Sequence, residues 1–485
     1  MQINRHSSYP LIALAVTTYF PITVFAQSDA ESRIKALEDR VQQLMQQRAE
    51  QDEQINVLSK ELAAIGNQVS QSKIAKPEVK STSKGSPVYG SFKDGLTFED
   101  GTGDWKLQLN GRVQADYRSY RPDDWKNDTF SIRRARLGGT FSFLKDFVLR
   151  VEGEYANDNA GNKGTTSLTY GYLDFTRWPG ARIRVGQFKP FFGLERAQSS
   201  NLTDFTELSL STSNGSIFNS TYDRGVMVFG DPLPWLNYNA YVVNGTGQNN
   251  DDVKDSKDIG FRVNVNLAKF TDSKDLVLHV GTSASKGSVD FASSAKAIKQ
   301  TTEGNGVEFF NVANIINAAP TDRRRFGFEA AVAYGPMKFQ SEYIKANFQG
   351  RQGTVAPGAA FDHDISTWYA DINWMITGEA YADAYKSGIF GRIKPRNNFD
   401  DQYGWGAFEL GLRYSRFDAS DFEAIKTTDT TTEANAWTAG VKWILNPNAR
   451  LVLSYVQTNF DYDIVVNGKR EDKEQAVNLR AQYDF

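Results

Sequence analysis

The sequence predicts an all-β fold: a 16-stranded antiparallel transmembrane β-barrel preceded by an N-terminal α-helical coiled coil. Three observations point there. In the closing stretch, residues 475–485, Val477, Leu479, Ala481, Tyr483 and Phe485 take one face of a strand, and Asn478, Arg480, Gln482 and Asp484 take the other. Beyond the first 26 residues no stretch approaches the roughly 20 apolar residues that a membrane helix needs. Hydrophobic residues make up only 40% of the chain, yet aromatics reach 13% and Gly 39 against Pro 14, a mixture that suits strands apolar on one side only.

Taken in order, residues 1–26 read as a secretory signal peptide. Arg5 gives the positive start, residues 11–25 the apolar run, and Val24, Phe25 and Ala26 a cleavage site before Gln27. Residues 27–74 are expected to form a periplasmic coiled coil. Ile34, Val41, Ile55, Leu62 and Val69 fall at one heptad position and Leu37, Leu44, Leu58 and Ile65 at the other, with Arg48 and Gln51 as polar layers. Residues 75–88, with Lys, Ser and Pro, read as a linker.

From residue 89 to residue 485 the period is 2. The clearest case, residues 105–119, sets Trp105, Leu107, Leu109, Val113, Ala115 and Tyr117 against Lys106, Gln108, Asn110, Arg112, Gln114, Asp116 and Arg118. Such segments begin near Trp105, Phe130, Phe147, Leu168, Ala181, Asp223, Trp235, Asp258, Asp275, Arg323, Met337, Ile365, Trp405, Asn435, Ala449 and Gln475. A barrel of that size keeps a water-filled channel, and an even count returns both ends to one side. Tight turns, as at Tyr334-Gly335-Pro336 and Asn446-Pro447-Asn448, are expected on the side opposite the long connections 198–222, 287–322 and 376–403.

The formal net charge is -3, more negative still once Arg5 leaves with the leader, so any preference for anions depends on where basic residues sit. Strand alternation turns many of them, such as Arg112, Arg118, Arg150, Arg262, Arg413 and Arg480, toward the water side, where acids including Asp116, Glu152, Glu154, Glu329 and Glu409 pair with some. Residues 130–137 (FSIRRARL) carry Arg133, Arg134 and Arg136, which cannot all face water in a regular strand; either Arg133 ends the preceding turn or a bulge re-aims it. In residues 182–196 (RIRVGQFKPFFGLER), Lys189 stands before a proline that must leave the ladder, so the chain there is expected to turn inward and carry Lys189 and Arg196 into the pore. The candidate anion pathway is therefore Arg133, Arg134, Arg136, Lys189, Arg196, Arg224, Arg182 and Arg184.

The stretches FSIRRARLGG, VGQFKPFFGLE, YDRGVMV, MITGEAYADAYKSGIFGRIKP, WGAFELGLRYSRFD and WTAGVKWILNPNARLVLSYVQTNF resemble the phosphate-selective porin family, the O and P type anion porins of Gram-negative outer membranes. The resemblance covers most of residues 100–485. It implies a homotrimer of barrels whose inner loop and basic residues guide anions such as phosphate or pyrophosphate, with Arg133, Arg134, Lys189 and Arg224 at positions of shared basic character. One departure falls at Glu207-Leu208-Ser209-Leu210, where many members read Glu-Arg-Ser-Leu. Leu208 replaces the basic residue, so anion preference is expected without commitment to phosphate.

Expected surroundings are outer-membrane lipid and lipopolysaccharide, with cell-wall contact through the coiled coil as the rival structural role. No nucleic acid, cofactor or metal is expected. The absence of Cys removes thiolate chemistry, and neither His279 nor His363 comes with a Ser and an acid at motif spacing, so no catalytic residue is assigned.

Overall fold

A computed structural model describes residues 87–485 apart from 93–94, 157–165, 253–254, 290–297, 316–320, 354–356 and 401, together with scattered positions between 35 and 60. The chain divides into two units, Met1–Gly85 and Ser86–Phe485. In the first, the described positions, among them Lys35, Gln42 and Glu53, are helical and exposed. The signal peptide, the apolar heptad positions of the coiled coil and nearly all of the linker lie outside the described residues.

The second unit is a closed antiparallel barrel. It opens with a hairpin, β1 (Val88–Phe92) and β2 (Leu96–Asp100), followed by β3 (Trp105–Arg121), β4 (Thr129–Phe143), β5 (Phe147–Glu154), β6 (Ser167–Phe175) and β7 (Arg182–Phe188). Next come β8 (Asp223–Leu233), β9 (Leu236–Val243), β10 (Asp258–Asn266), β11 (Leu276–Val289) and a small separate hairpin, β12 (Ile298–Thr301) and β13 (Glu308–Val312). Then follow β14 (Thr321–Tyr334), β15 (Met337–Gln352), β16 (Ala359–Met375) and a second small hairpin, β17 (Tyr385–Lys386) and β18 (Ile389–Phe390). The chain closes with β19 (Ala407–Asp418), β20 (Glu433–Ile444), β21 (Ala449–Val466) and β22 (Lys469–Asp484). The main sheet has 18 strands; β1 and β2 extend its edge, and the other 16 form a ring that shuts where β22 pairs with β3, Gln475 opposite Arg121 and Asp484 opposite Arg112. Phe485 completes the seam, exchanging both backbone hydrogen bonds with Gly111 at 3.0 and 3.1 Å.

Burial along the strands is the reverse of a soluble sheet. On β3, Val113 is 49% exposed and Gln114 0%; on β22, Tyr483 is 47% exposed and Asp484 2%. The apolar side faces outward and the polar side inward, the arrangement lipid selects. Aromatic rings gather on that outer surface, Phe408 stacking on Trp443 with centroids 5.6 Å apart and Tyr414 packing against Trp437 at 4.8 Å. A β-bulge answers the question posed by the three arginines of β4. Gln114 pairs with Arg134 and Ala115 with Ile132, so Arg133 is the extra residue and is re-aimed.

Strand order also corrects one expectation. The connections 189–222 and 290–320 leave the end opposite the short turns, but 376–406 joins β16 to β19 and so leaves the same end as the tight turns 144–146, 335–336 and 445–448. Antiparallel alternation decides which end a connection uses, whatever its length.

Candidate functional site in the barrel lumen

Among the described residues, three segments folded into the lumen carry most of the contacts to the inward side chains considered below. The first follows β7. Pro190 has no N–H for the ladder, so pairing stops at Phe188 and the chain turns in. Gly193, at φ 70, permits the turn, since a Cβ there would lie 2.1 Å from Glu342 Oε2. The freed N–H groups of Leu194 and Glu195 donate to the Glu342 carboxylate at 2.9 and 2.6 Å, and Gly193 N donates to Ser283 Oγ at 3.0 Å. Further along, Asp204 pairs with Lys338 at 2.6 Å, and Glu207 takes Arg118 at 2.5 Å, Arg133 at 2.9 Å and Arg480 at 3.2 Å. Burial works against ionisation of Glu207, but Arg133, Arg118 and Arg480 outweigh it and hold the carboxyl well below the usual carboxylate range. The loop is thus clamped to β3, β4 and β22 on one side and to β15 on the other.

The second segment carries β12 and β13. Its Glu303 accepts from Arg413 and Thr438, and from Leu210 N of the first loop at 3.1 Å. The third enters from the short-turn end. Arg262 donates to Gly388 O at 2.8 Å, His279 shares a 2.6 Å hydrogen bond with Tyr385, and Arg392 pairs with Asp484.

Most inward basic residues are neutralised. Arg184 is bidentate to Asp174 at 2.7 and 2.8 Å, and Arg182 reaches Asp231 at 2.9 Å. Arg136 contacts Glu154 at 2.6 Å and Glu152 at 3.3 Å, Arg262 contacts Glu329 at 2.7 Å, and Lys442 contacts Glu409 at 2.7 Å. Arg133 belongs to the Glu207 cluster. Arg224 donates to the Asn250 carbonyl, at the foot of a separate loop.

A different set has no carboxylate partner among the described residues. Lys189 Nζ donates to Gln198 O at 2.7 Å, Arg112 to Ser200 Oγ at 2.7 Å and Arg134 to Gln114 Oε1 at 2.8 Å. Arg196 donates to Thr212 O at 2.8 Å, Asn214 Oδ1 at 3.1 Å and Ser220 O at 2.9 Å while lying 4.1 Å over the Phe218 ring. Burial, and then the charges of Arg196, Arg136, Arg134 and Arg112, push the Lys189 ammonium well below the ordinary lysine range. Arg112 Nε and Gln198 Nε2 are buried donors with no acceptor among the described residues. Cations with no carboxylate contact among the described residues, although Glu152 acts on Arg112 and Glu207 on Arg134 from farther away, stand beside buried donors without acceptors, an arrangement that can receive a negatively charged oxygen.

Of the eight residues singled out from the sequence, the structure therefore gathers Arg134, Lys189 and Arg196 in this acid-free group and ties Arg133, Arg136, Arg182 and Arg184 to carboxylates. Arg112 was legible as an inward arginine; its place opposite Arg136 depends on the β3–β4 register. Gln114, Gln198 and Glu207 carried no sequence signal for their parts.

A family model described as phosphate-selective porin O and P matches residues 107–485. Porin O of Pseudomonas aeruginosa is 25% identical over 431 residues, covering 83% of this chain and 94% of that protein. Among solved structures, the chain is similar to an anion-selective porin from Comamonas acidovorans, with 13% identity, 79% of this chain and 100% of that one covered, and a TM-score of 0.48. It is also similar to the outer membrane channel DcaP of Acinetobacter baumannii, with 12% identity, 79% and 97% covered, and a TM-score of 0.47.

Proposed function

The chain belongs to the phosphate-selective porin O and P family of Gram-negative outer-membrane porins, and we propose that its barrel gives passive diffusion to small anions. The observation that carries this reading is the acid-free group Arg112, Arg134, Lys189 and Arg196, set where the first inward loop narrows a lumen whose other cations are mostly paired. A unit opposite charge 4 Å away is worth about 1 kcal/mol in bulk water and about 4 kcal/mol at an effective dielectric of 20. A few unpaired cations at the waist thus override an acidic total. Guanidinium groups offer paired hydrogen bonds to an oxyanion, and Lys189 adds a compact point charge. Release needs weak binding at several places, which a track from Arg196 through Lys189 to Arg134 and Arg112 would supply. Phosphate and pyrophosphate are within the class. Leu208, half-buried at the position where the resemblance sets a basic residue in many members, favours a broader anion preference over strict phosphate selection.

The same reading takes residues 1–26 as a signal peptide, residues 27–74 as a periplasmic helical segment that self-associates, residues 75–88 as a linker, and the functional unit as a homotrimer. The test of the pore is chloride current through purified protein in planar bilayers with phosphate added in steps. Phosphate is expected to reduce the chloride current in a saturable way. A current that phosphate does not touch, with no preference for chloride over potassium, would refute the proposal.

A further inference from the structure

At the short-turn end of the lumen, a cleft of about 410 Å³ opens between the tip of the third inward segment and the wall of β8, β9 and β10. This volume suits a small organic molecule and far exceeds what one inorganic ion fills. We infer that the cleft binds a hexose-sized organic phosphate dianion; the inference rests on the anion-pore reading and names a class of solute that lingers at the exit.

Two features give the charge. Lys269 and Lys386 line the cleft, both are exposed, and neither has an acidic partner among the described residues. Asp231, the cleft's acid, is engaged by Arg182 at 2.9 Å and by the Ser387 hydroxyl at 3.0 Å. Two uncompensated ammonium groups match a phosphate monoester, which carries nearly two negative charges at neutral pH.

The rest of the lining argues for an organic body on that phosphate. Pro232, Leu233, Trp235 and the Tyr385 ring give apolar surface for a C–H face. Asn237 Nδ2 and the Ser387 hydroxyl already donate to Asp231, Asn264 Nδ2 donates to Asn237 Oδ1, and Asn266 Oδ1 accepts from Ala268 N and Leu278 N, so what this row offers a sugar hydroxyl is the second amide hydrogen of Asn264, the Asn266 amide nitrogen and the lone pairs of Ser387 Oγ. The tip is held rigidly against this wall. Gly388, at φ 72, lies so close to β10 that a Cβ would fall 2.1 Å from Asn264 Oδ1, and its carbonyl accepts from Arg262 at 2.8 Å. A site for bare phosphate would have no use for the apolar floor or the amide row.

The experiment is calorimetric titration of the detergent-solubilised full chain with glucose 6-phosphate, inorganic phosphate and glucose, each for wild type, for the double variant Lys269→Ser/Lys386→Ser and for Lys189→Gln. Glucose 6-phosphate should bind about tenfold tighter than either of the others, and the double variant should lose about tenfold of that affinity, the size expected for charge-assisted hydrogen bonds. Lys189→Gln should weaken inorganic phosphate along the lumen track while glucose 6-phosphate keeps at least its tenfold advantage, which separates the cleft from the track. Heat-modified gel mobility of the double variant at the wild-type temperature shows that it is folded. Equal affinities for glucose 6-phosphate and inorganic phosphate, or unchanged binding in the double variant, overturns the inference. Cation preference in the wild-type pore with binding at the cleft retained removes the anion-pore reading and leaves the cleft standing.

Discussion

Replacing Lys189 by Gln keeps a polar side chain of similar length and removes one charge from the acid-free group. The ammonium stands in contact with the Gln198 carbonyl, and its neighbours Arg196, Arg136, Arg134 and Arg112 are all cations. A charge 4 Å from a passing anion is worth between about 1 and 4 kcal/mol, according to how wet the surroundings are. A hydrated lumen puts the loss near the lower bound, about 1–2 kcal/mol, or roughly 5- to 30-fold in anion occupancy. Low-salt chloride conductance should fall, and the phosphate concentration at half-block should rise, each by a factor in that range. The pH dependence follows with a definite sign. A lysine is charged below its pKa and neutral above it, and burial together with four guanidinium groups lowers the pKa of Lys189. Wild-type anion conductance should thus decline as pH rises through values below the ordinary lysine range, and Lys189→Gln should lack that decline. A bound anion favours the charged form, so the midpoint should move upward with anion concentration. Equal conductance and an identical pH profile in wild type and variant would refute the reasoning.

The paired arginines should behave differently. Arg184→Gln combined with Asp174→Asn removes one charge of each sign from a bidentate pair, and the reversal potential in a salt gradient should stay at the wild-type value; a shift toward cation preference would place Arg184 in the pathway after all. Glu207→Gln leaves Arg133 without a carboxylate, while Arg118 and Arg480 keep Asp116 at 2.7 Å each, so anion preference should increase while the loop loses about 1–3 kcal/mol of anchoring, read as a lower temperature of heat-modified gel mobility. Gly193→Val places a side chain where Glu342 Oε2 now sits and should dislodge the first inward loop, giving larger single-channel conductance with weaker anion preference; unaltered conductance would show that this loop does not set the bore.

Much of the barrel was legible because one-sided burial writes itself as alternation. The expected start at Trp105 coincides with β3, those at Phe147, Asp223 and Ala449 coincide with β5, β8 and β21, and the least accurate, Ile365 and Gln475, fall inside β16 and β22. Both misses lie on long strands, of 17 and 16 residues, well above the roughly 9–11 that a tilted strand needs to cross a bilayer, so their first residues need not follow the lipid-facing pattern. FSIRRARL showed an irregularity by arithmetic alone, since three arginines in four positions exceed what one face of a strand accepts, but a turn end and a bulge fitted equally well until the β3–β4 register showed the bulge. The end from which 376–406 departs was misassigned by length, although counting strands would have placed it correctly. Pairing was the harder matter. Arg182 and Arg184 looked equivalent to Arg134 in the sequence, and what separates them is the register that sets Arg184 beside Asp174 and the loop that carries Glu207 to Arg133. Such partners meet only through strand order and loop path, neither of which a local pattern encodes.

The reversal potential of the purified wild-type protein in a KCl gradient across a planar bilayer bears most directly on the whole account. The acid-free cations at the inward loop predict a potential on the chloride side of zero. A potential on the potassium side, or a membrane that stays electrically silent, would contradict it.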